Sequence, residues 1–484
     1  MTTLAVAARP DERFTALERL ETFYDHGSIH LLRTQARSRR MGDRAVDGDG
    51  VLAAVGMVDG RQVVSYAQDG TFLGGSLGQT HADTVVEAIR VAERARVPLV
   101  GFVESGGARL QEGLDSLDGY ARIFAGHVRL SGVVPQISVV CGAAAGGGAY
   151  GPALTDFVVL APRAAMFLTG PSVVREVLGE DVTASELGGP SVHRANGVAH
   201  LDAPTEIDAI LTTRTLLDHL PQRAGEAARV ATPMRAGSES PGAAVPDDPR
   251  KVYDVRHVVG GLLDGGRLLE ISPSWAPNVV CGLGRLEGRP VGVVANQPNW
   301  LSGVLDADAG QKAARFVRSC DLFGIPLIVL VDTPGFLPGS DQERGAVIRH
   351  GAKLVHAFAD ASVPRVTVVL RKAFGGALIA MNSKGLGADG VFAWPRAQLG
   401  VMGAPQAVGI IERRAIAAAD DPTAHRTVLA DAYAAEHLGA AKAATDGHID
   451  DVVLPGDTRR RIAAIFDLLQ TRDRTGQPAR NLPL

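Results

Sequence analysis

Pro98-Leu99-Val100-Gly101-Phe102-Val103-Glu104-Ser105-Gly106-Gly107 lies without a gap over Pro326-Leu327-Ile328-Val329-Leu330-Val331-Asp332-Thr333-Pro334-Gly335 of the same 484-residue chain. A second block, Pro135-Gln136-Ile137-Ser138-Val139-Val140 through Gly146-Gly147, lies over Pro364-Arg365-Val366-Thr367-Val368-Val369 through Gly375-Gly376. Asp156 with Pro162-Arg163-Ala164 is echoed in Asp389 with Pro395-Arg396-Ala397. The offset drifts from 228 (326 against 98) to 229 (364 against 135) to 233 (389 against 156), the trace left by duplication and small insertions. The chain reads as two copies of one α/β domain. In each copy a short β-branched apolar run predicts a buried strand, and the glycine-rich turn after it opens a helix. N–H groups at a helix start lack partners within the helix and can be aimed at an anion. Two such turns suggest paired oxyanion holes.

A length of 484 residues suits two cores of roughly 200 residues each better than one. The stretch from Gly237-Ser238-Glu239-Ser240-Pro241 to Asp247-Asp248-Pro249 is dense in breakers and without periodicity. It predicts a linker over 237–250, between domains at 1–236 and 251–484. A net charge of −4 argues against a nucleic-acid partner, which would want a basic face. The start, Met1-Thr2-Thr3-Leu4-Ala5-Val6, has neither the basic opening nor the long apolar core of a signal peptide, so a cytoplasmic protein is expected. The uncharged run from Leu130 to Thr155 is interrupted by Pro135, Gly142, Gly146, Gly147, Gly148 and Pro152, which argues against a membrane span. Cys141, Cys281 and Cys320 are scattered and suggest neither a disulfide framework nor a metal site.

Lys251 is the first lysine, so no Walker lysine, Schiff base or lysine-borne cofactor can sit in the first half. No lysine has the Met-Lys-Met setting of biotin-bearing domains, so any biotin must arrive on another protein. Two short motifs mislead. Gly146-Gly147-Gly148-Ala149-Tyr150-Gly151 fits G-x-G-x-x-G but lacks a clear acidic partner about twenty residues on. Gly74-Gly75-Ser76-Leu77-Gly78 fits the nucleophile elbow, yet neither His193 nor His200 has a recognisable triad setting. A tight glycine turn that brings backbone close to a ligand is the plainer reading.

Gly74-Gly75-Ser76-Leu77-Gly78, Glu104-Ser105-Gly106-Gly107-Ala108-Arg109, Asn296-Gln297-Pro298, Asp332-Thr333-Pro334-Gly335-Phe336 and Arg371-Lys372-Ala373-Phe374-Gly375-Gly376-Ala377 occur together, in order. In this the chain resembles the carboxyltransferase (β) subunits of biotin-dependent acyl-CoA carboxylases, close to the actinobacterial acetyl-/propionyl-CoA type. The resemblance runs from about Ala16 to Leu484. It implies two crotonase-like (ββα spiral) domains, the first on the acyl-CoA side and the second on the biotin side. It implies no metal, and transfer of a carboxyl group from carboxybiotin, carried on a biotinylated α subunit or carrier protein, to the α-carbon of a short-chain acyl-CoA. Two anions form in that reaction, an enolate on the thioester and one on the biotin ureido group, and preorganised N–H donors stabilise both without a titratable side chain. Biotin freed of its carboxyl group would remove the α-proton. The resemblance also implies a homo-hexamer in which the N-terminal domain of one subunit faces the C-terminal domain of another.

Carried over by position, one donor pair falls on Gly146 and Gly147 and the other on Gly376 and Ala377, whereas the repeat itself pairs Gly147-Gly148 with Gly376-Ala377. Gly106, Gly107 and Ala108 are expected along the pantetheine arm. Leu378 and Ile379 stand where propionyl-selective relatives have Tyr-Asp, which predicts an acyl pocket without strict propionyl preference. The alternative for the glycines is close helix-to-strand packing alone. The chain departs from the family at Gln79 and Thr84, where an acid and a lysine are usual, which puts the CoA phosphate contacts in question. It departs again at Ala434-Ala435-Glu436-His437-Leu438-Gly439, in place of an Asn-Pro-Tyr-like stretch. The zinc ribbon of the other bacterial type is absent. Two other activities stay open, a biotin-dependent acyl-CoA decarboxylase subunit and another crotonase-type enzyme such as a hydratase, although no carboxylate acid/base pair is evident for the latter. A noncatalytic scaffold would have no need of two anion-binding turns.

Overall fold

The computed structural model describes residues 13–237 and 240–469. Two compact units divide between Ala228 and Arg229, ahead of the linker expected over 237–250. That stretch instead belongs to the second unit. Ala231 donates its N–H to the Gly288 carbonyl, Ala236 bridges Asp264, and Pro241 lies against Gly261. Ala244 and Val245 pack on the second core. Breakers abolish periodicity in docked irregular backbone as well as in free tethers, so the sequence could not separate the two. Residues 238 and 239 of the expected linker lie outside the described residues.

The first unit is built on β1 (His30–Leu32), β2 (Val51–Val58), β3 (Arg61–Gln68), β4 (Leu99–Ser105), β5 (Gln136–Ala145), β6 (Phe157–Leu160), β7 (Ala165–Phe167) and β8 (Leu201–Asp202). Their order is β1-β2-β3-β4-β5-β6-β8, with β7 also beside β5. The first three strands are antiparallel, and pairing is parallel from β3 onward. Every residue of β4 is buried, as expected of a parallel strand covered on both faces. The helices used below are α1 (Ala16–Phe23), α2 (Gln79–Ala95), α3 (Leu114–Leu130) and α4 (Gly147–Ala153). In α2, residues His81, Val85, Ala88, Ile89 and Ala92 form the buried face at helical spacing.

The second unit repeats this plan with β9 (Leu268–Ile271), β10 (Val279–Leu286), β11 (Arg289–Asn296), β12 (Leu327–Thr333), β13 (Arg365–Phe374), β14 (Gly390–Ala393), β15 (Gln398–Gly400) and β16 (Asp451–Val452). The order β9-β10-β11-β12-β13-β14-β16, with β15 also beside β13, matches the first sheet strand for strand. So do the directions. Its helices include α5 (Ala307–Leu322), α6 (Val347–Asp360) and α7 (Gly375–Ala380). Even an irregularity is shared: pairing shifts register between Val103 and Ser105 on β4, and between Val331 and Thr333 on β12.

Each copy also keeps one left-handed turn. Leu73, Gly74 and Gly75 have φ of 50°, 64° and 68°; Leu301, Ser302 and Gly303 have φ of 48°, 56° and 76°. A Cβ on Gly75 would lie 2.1 Å from the Glu104 carbonyl oxygen, and one on Gly303 would lie 2.4 Å from that of Asp332. Close approach to the strand end, rather than a nucleophile elbow, accounts for the glycines. Ser76 has ordinary extended backbone at φ −61°. Among the described residues no helix is long and apolar enough to cross a membrane, and no His/Cys/Asp/Glu group could hold a metal ion.

Candidate functional site

The two glycine-rich turns come at equivalent places. β5 runs into Gly146, at φ +55°, and α4 begins at Gly147; β13 runs into Gly375, at φ +60°, which opens α7. The positive φ, accessible to glycine at no steric cost, registers Gly146 on Gly375. Gly147 and Gly148 then correspond to Gly376 and Ala377. The Gly146 N–H donates to the Phe167 carbonyl at 2.9 Å, so of the expected pair Gly146 and Gly147 the first is already engaged. Gly147 and Gly148 are the first two residues of α4, where N–H groups have no partner within the helix. The available donors are thus the pair that the repeat alignment gave. Strand β7, which takes up Gly146, is three residues long and carries no sequence signal strong enough to foresee it.

Around the first turn the packing is close. A Cβ on Gly147 would lie 2.6 Å from the Tyr120 ring of α3, and one on Gly148 would lie 3.3 Å from Ser105 Cβ. The Tyr120 and Ser105 hydroxyl oxygens are 3.0 Å apart, and Ser105 Oγ accepts the Gly107 N–H at 3.3 Å. Burial pushes the Tyr120 hydroxyl up to about 12, so it stays neutral. Gly106 is exposed, with its N–H on the Gly74 carbonyl at 2.8 Å. Gly107 has φ +97°, and Ala108 bridges Leu77. The three residues expected along the pantetheine arm therefore form one loop held against both the left-handed turn and, through Ser105, Tyr120.

Beneath that loop runs a buried polar network. Arg109 donates to Asp49 at 2.7 Å, to Glu112 at 2.8 Å and to the Ser76 carbonyl at 3.0 Å. Burial alone would raise the Glu112 carboxyl, but hydrogen bonds from the Gln79 N–H, Ser38 and Arg109 hold it below its ordinary value. His81 lies between the Asp49 carbonyl, 3.2 Å from Nδ1, and the Gln68 amide nitrogen, 3.1 Å from Nε2. This geometry assigns the proton to Nδ1, and burial pushes the ring down to about 3. Where the family lysine is missing, Arg33 Nε reaches Thr84 Oγ1 at 3.2 Å. Arg33, Arg37, Arg39 and Arg40 line a pocket of about 400 Å³ there, together with Asp83 and Glu112.

The second turn is more open. Gly376 is exposed, and a Cβ on it would find only Phe336, at 3.7 Å; Ala377 is buried. Leu378 is half-buried, while Ile379 keeps 52 % of its surface exposed. The Ala434–Leu438 segment forms a π-helical turn. It delivers buried Leu438 into the cluster of Phe374, Ala404 and Val408 at the base of the turn.

The sheet is built twice, with a glycine turn opening a helix at the same strand end in each copy, and the class this scaffold belongs to is the carboxyltransferases. The carboxyl transferase domain model matches residues 7–482, and the chain belongs to that family. It is 46% identical over 473 residues to the methylmalonyl-CoA carboxyltransferase 12S subunit of Propionibacterium freudenreichii subsp. shermanii, covering 96% of this chain and 90% of the relative. It is 47% identical to the biotin-dependent acetyl-/propionyl-coenzyme A carboxylase beta6 subunit of Mycobacterium tuberculosis over 474 residues, covering 97% and 96%. The crystal structure of a transcarboxylase 12S hexamer with methylmalonyl-coenzyme A and methylmalonic acid bound superposes with a TM-score of 0.93 at 45% identity, covering 98% of this chain and 92% of that one. The fold is the crotonase-like carboxyltransferase fold.

Proposed function

We propose that this chain is the carboxyltransferase subunit of a biotin-dependent acyl-CoA carboxylase, taking carboxybiotin from a separate biotinylated α subunit or carrier protein. The observation that carries this reading is the pair of equivalent helix-opening turns, each presenting N–H groups without helical partners. Gly147 and Gly148 would hold the thioester oxygen as negative charge develops on it during α-proton removal, with the first unit as the acyl-CoA side. Donors fixed before the reaction need no reorganisation and stabilise the enolate selectively. Gly376 and Ala377 would hold the ureido oxygen, a role that fits the uncluttered surface over Gly376. Carboxybiotin supplies the carboxyl group and, once free of it, the base. Gly106, Gly107 and Ala108 would border the pantetheine arm, and the arginine-lined pocket beside Gln79 and Thr84 would receive the CoA phosphates.

Ile379 and Leu378 make the acyl end aliphatic, so acetyl-CoA and propionyl-CoA are both expected as substrates, with malonyl-CoA and methylmalonyl-CoA as products. The exposed apolar residues Leu110, Leu114, Leu117, Ile348 and Val401 favour a homo-oligomer, a hexamer like the transcarboxylase relative. Three buried free cysteines are consistent with a cytoplasmic setting. The test is incubation with a biotinylated carrier in its carboxylated form and a panel of acetyl-, propionyl- and butyryl-CoA. Carboxylated product that depends on the carrier is expected. Acyl-CoA turnover without the carrier would support a hydratase-type enzyme instead.

A further inference from the structure

The loop and the turn of the acyl-CoA side are separate pieces of chain, and one side chain lies against the turn and reaches the loop through Ser105. Tyr120 lies with its ring where a Cβ on Gly147 would have to go, 2.6 Å away. Its hydroxyl is 3.0 Å from Ser105 Oγ, which in turn accepts the Gly107 N–H at 3.3 Å. The second copy shows what the tyrosine replaces. There Phe336 comes from the loop itself and lies 3.7 Å from a Cβ on Gly376, so loop and turn meet directly. Thr333 Oγ1 accepts the Gly335 N–H at 3.2 Å with no help from an aromatic hydroxyl. The repeat places Ala108 at the position of Phe336, and alanine cannot span that distance. A ring from α3 stands in, and because it comes from outside the loop it needs a hydroxyl to hold the loop as well.

We propose that Tyr120 is a positioning residue that fixes the Gly106–Ala108 loop and the Gly147–Gly148 turn in one relative register for acyl-CoA. This rests on the carboxyltransferase reading. The ring and the hydroxyl have separable tasks. Tyr120→Phe keeps the ring under Gly147 and removes the hydroxyl that ties it, through Ser105, to the loop. KM for acyl-CoA should then rise about 3- to 10-fold, the worth of one neutral hydrogen bond, while kcat changes little. Ser105→Ala, which also removes the acceptor of the Gly107 N–H, should raise KM at least as much, and the double variant should be no worse than Ser105→Ala alone. Tyr120→Leu should lower kcat as well, because the turn loses its support. Thr333→Ala in the second copy should leave KM for acyl-CoA unchanged.

The proposal falls if Tyr120→Phe leaves KM unchanged, if it lowers kcat alone, or if its effect and that of Ser105→Ala add. Acyl-CoA affinity measured by calorimetry gives a readout independent of turnover. A wild-type protein that binds acyl-CoA but transfers no carboxyl group sinks the proposed function. The Tyr120 proposal is then decided by whether the Phe variant weakens that binding.

Discussion

At the end of the fourth strand of each sheet path the two copies bury an acid and neutralise it in different ways. In the first unit Glu104 is paired with Arg19 of α1 at 2.8 Å and with Arg13 at 2.5 Å, and Arg19 also holds Glu206 at 2.5 Å. The neighbouring strand contributes only Gly142, where a Cβ would lie 2.5 Å from Glu104 Oε1. In the second unit the equivalent position is Arg371, which itself pairs with Asp332 at 3.0 Å and lies 5.1 Å from the centre of the Tyr253 ring. One copy brings its cation from a helix and keeps the strand bare; the other builds it into the strand. Topology therefore constrains the two copies more tightly than the polar partners that fill it, because several placements of a guanidinium can satisfy one buried carboxylate.

The sharpest way to separate the copies is acid. His81 occupies the place that Ala309 takes in the second copy. Its imidazole, pushed by burial to about 3 from an ordinary 6.5, stays neutral in the folded unit while the unfolded chain takes up a proton. The unfolded state binds more protons in that window, so stability is lost as pH falls from about 6.5 toward 3, by about 5 kcal/mol in full at 1.36 kcal/mol per unit. Hydrogen exchange between pH 7 and 4 should show the first unit opening ahead of the second, and His81→Gln should flatten the difference. Equal loss of protection in both units would break the contrast.

Next in size is the neutralisation itself. Asp332→Asn leaves Arg371 buried without its carboxylate and should cost the second unit about 3–5 kcal/mol. Glu104→Gln leaves Arg19 its pairing with Glu206 and should cost the first unit about 1 kcal/mol. Exchange protection resolved by unit is the right measure, since a single melting temperature is ill defined for two units. Burial holds the Asp332 carboxyl above its ordinary value despite Arg371.

The turns differ in tolerance as well. Gly376→Val has room to fold, yet its bulk stands over the N–H groups and should lower transfer by two to three orders of magnitude, about 2.7–4 kcal/mol. Gly147→Ala should instead destabilise the first unit by about 1–3 kcal/mol, because the Tyr120 ring has to move. A soluble, assembled Gly376→Val protein with near-normal transfer would remove the second turn from the mechanism. The smallest effect is expected at Ile379. Replacing it with Asp should shift the kcat/KM ratio among acetyl-, propionyl- and butyryl-CoA by no more than the about 1–3 kcal/mol that one methylene commands in such a pocket. Unchanged ratios would show that Ile379 does not select the chain.

Much of this was legible before folding. The duplicated apolar runs predicted β4, β5, β12 and β13, because long buried parallel strands leave uninterrupted β-branched stretches. The glycines marked both turns, since a left-handed residue between strand and helix has few alternatives. What stayed hidden depends on short or distant partners. Phe167 takes up Gly146 from a strand of three residues. Tyr120 reads as one more apolar position on a helix until its hydroxyl finds Ser105. Arg33 supplies a cation beside Thr84 from a loop with no pattern of its own. The docking of 237–250 on the second unit was hidden because irregular backbone docked on a core resembles a tether in composition.

Each unit closes its own sheet and packs its own core: one buried cluster spans Val51 to Ala199, the other Tyr253 to Phe466, with no residue in common. Among the described residues, a break between Ala228 and Arg229 would therefore divide neither of these two clusters. Two half-length polypeptides, synthesised separately, would each carry one of these clusters whole. That gives the chain a ready point of fission and a place to exchange either half for a homologous one.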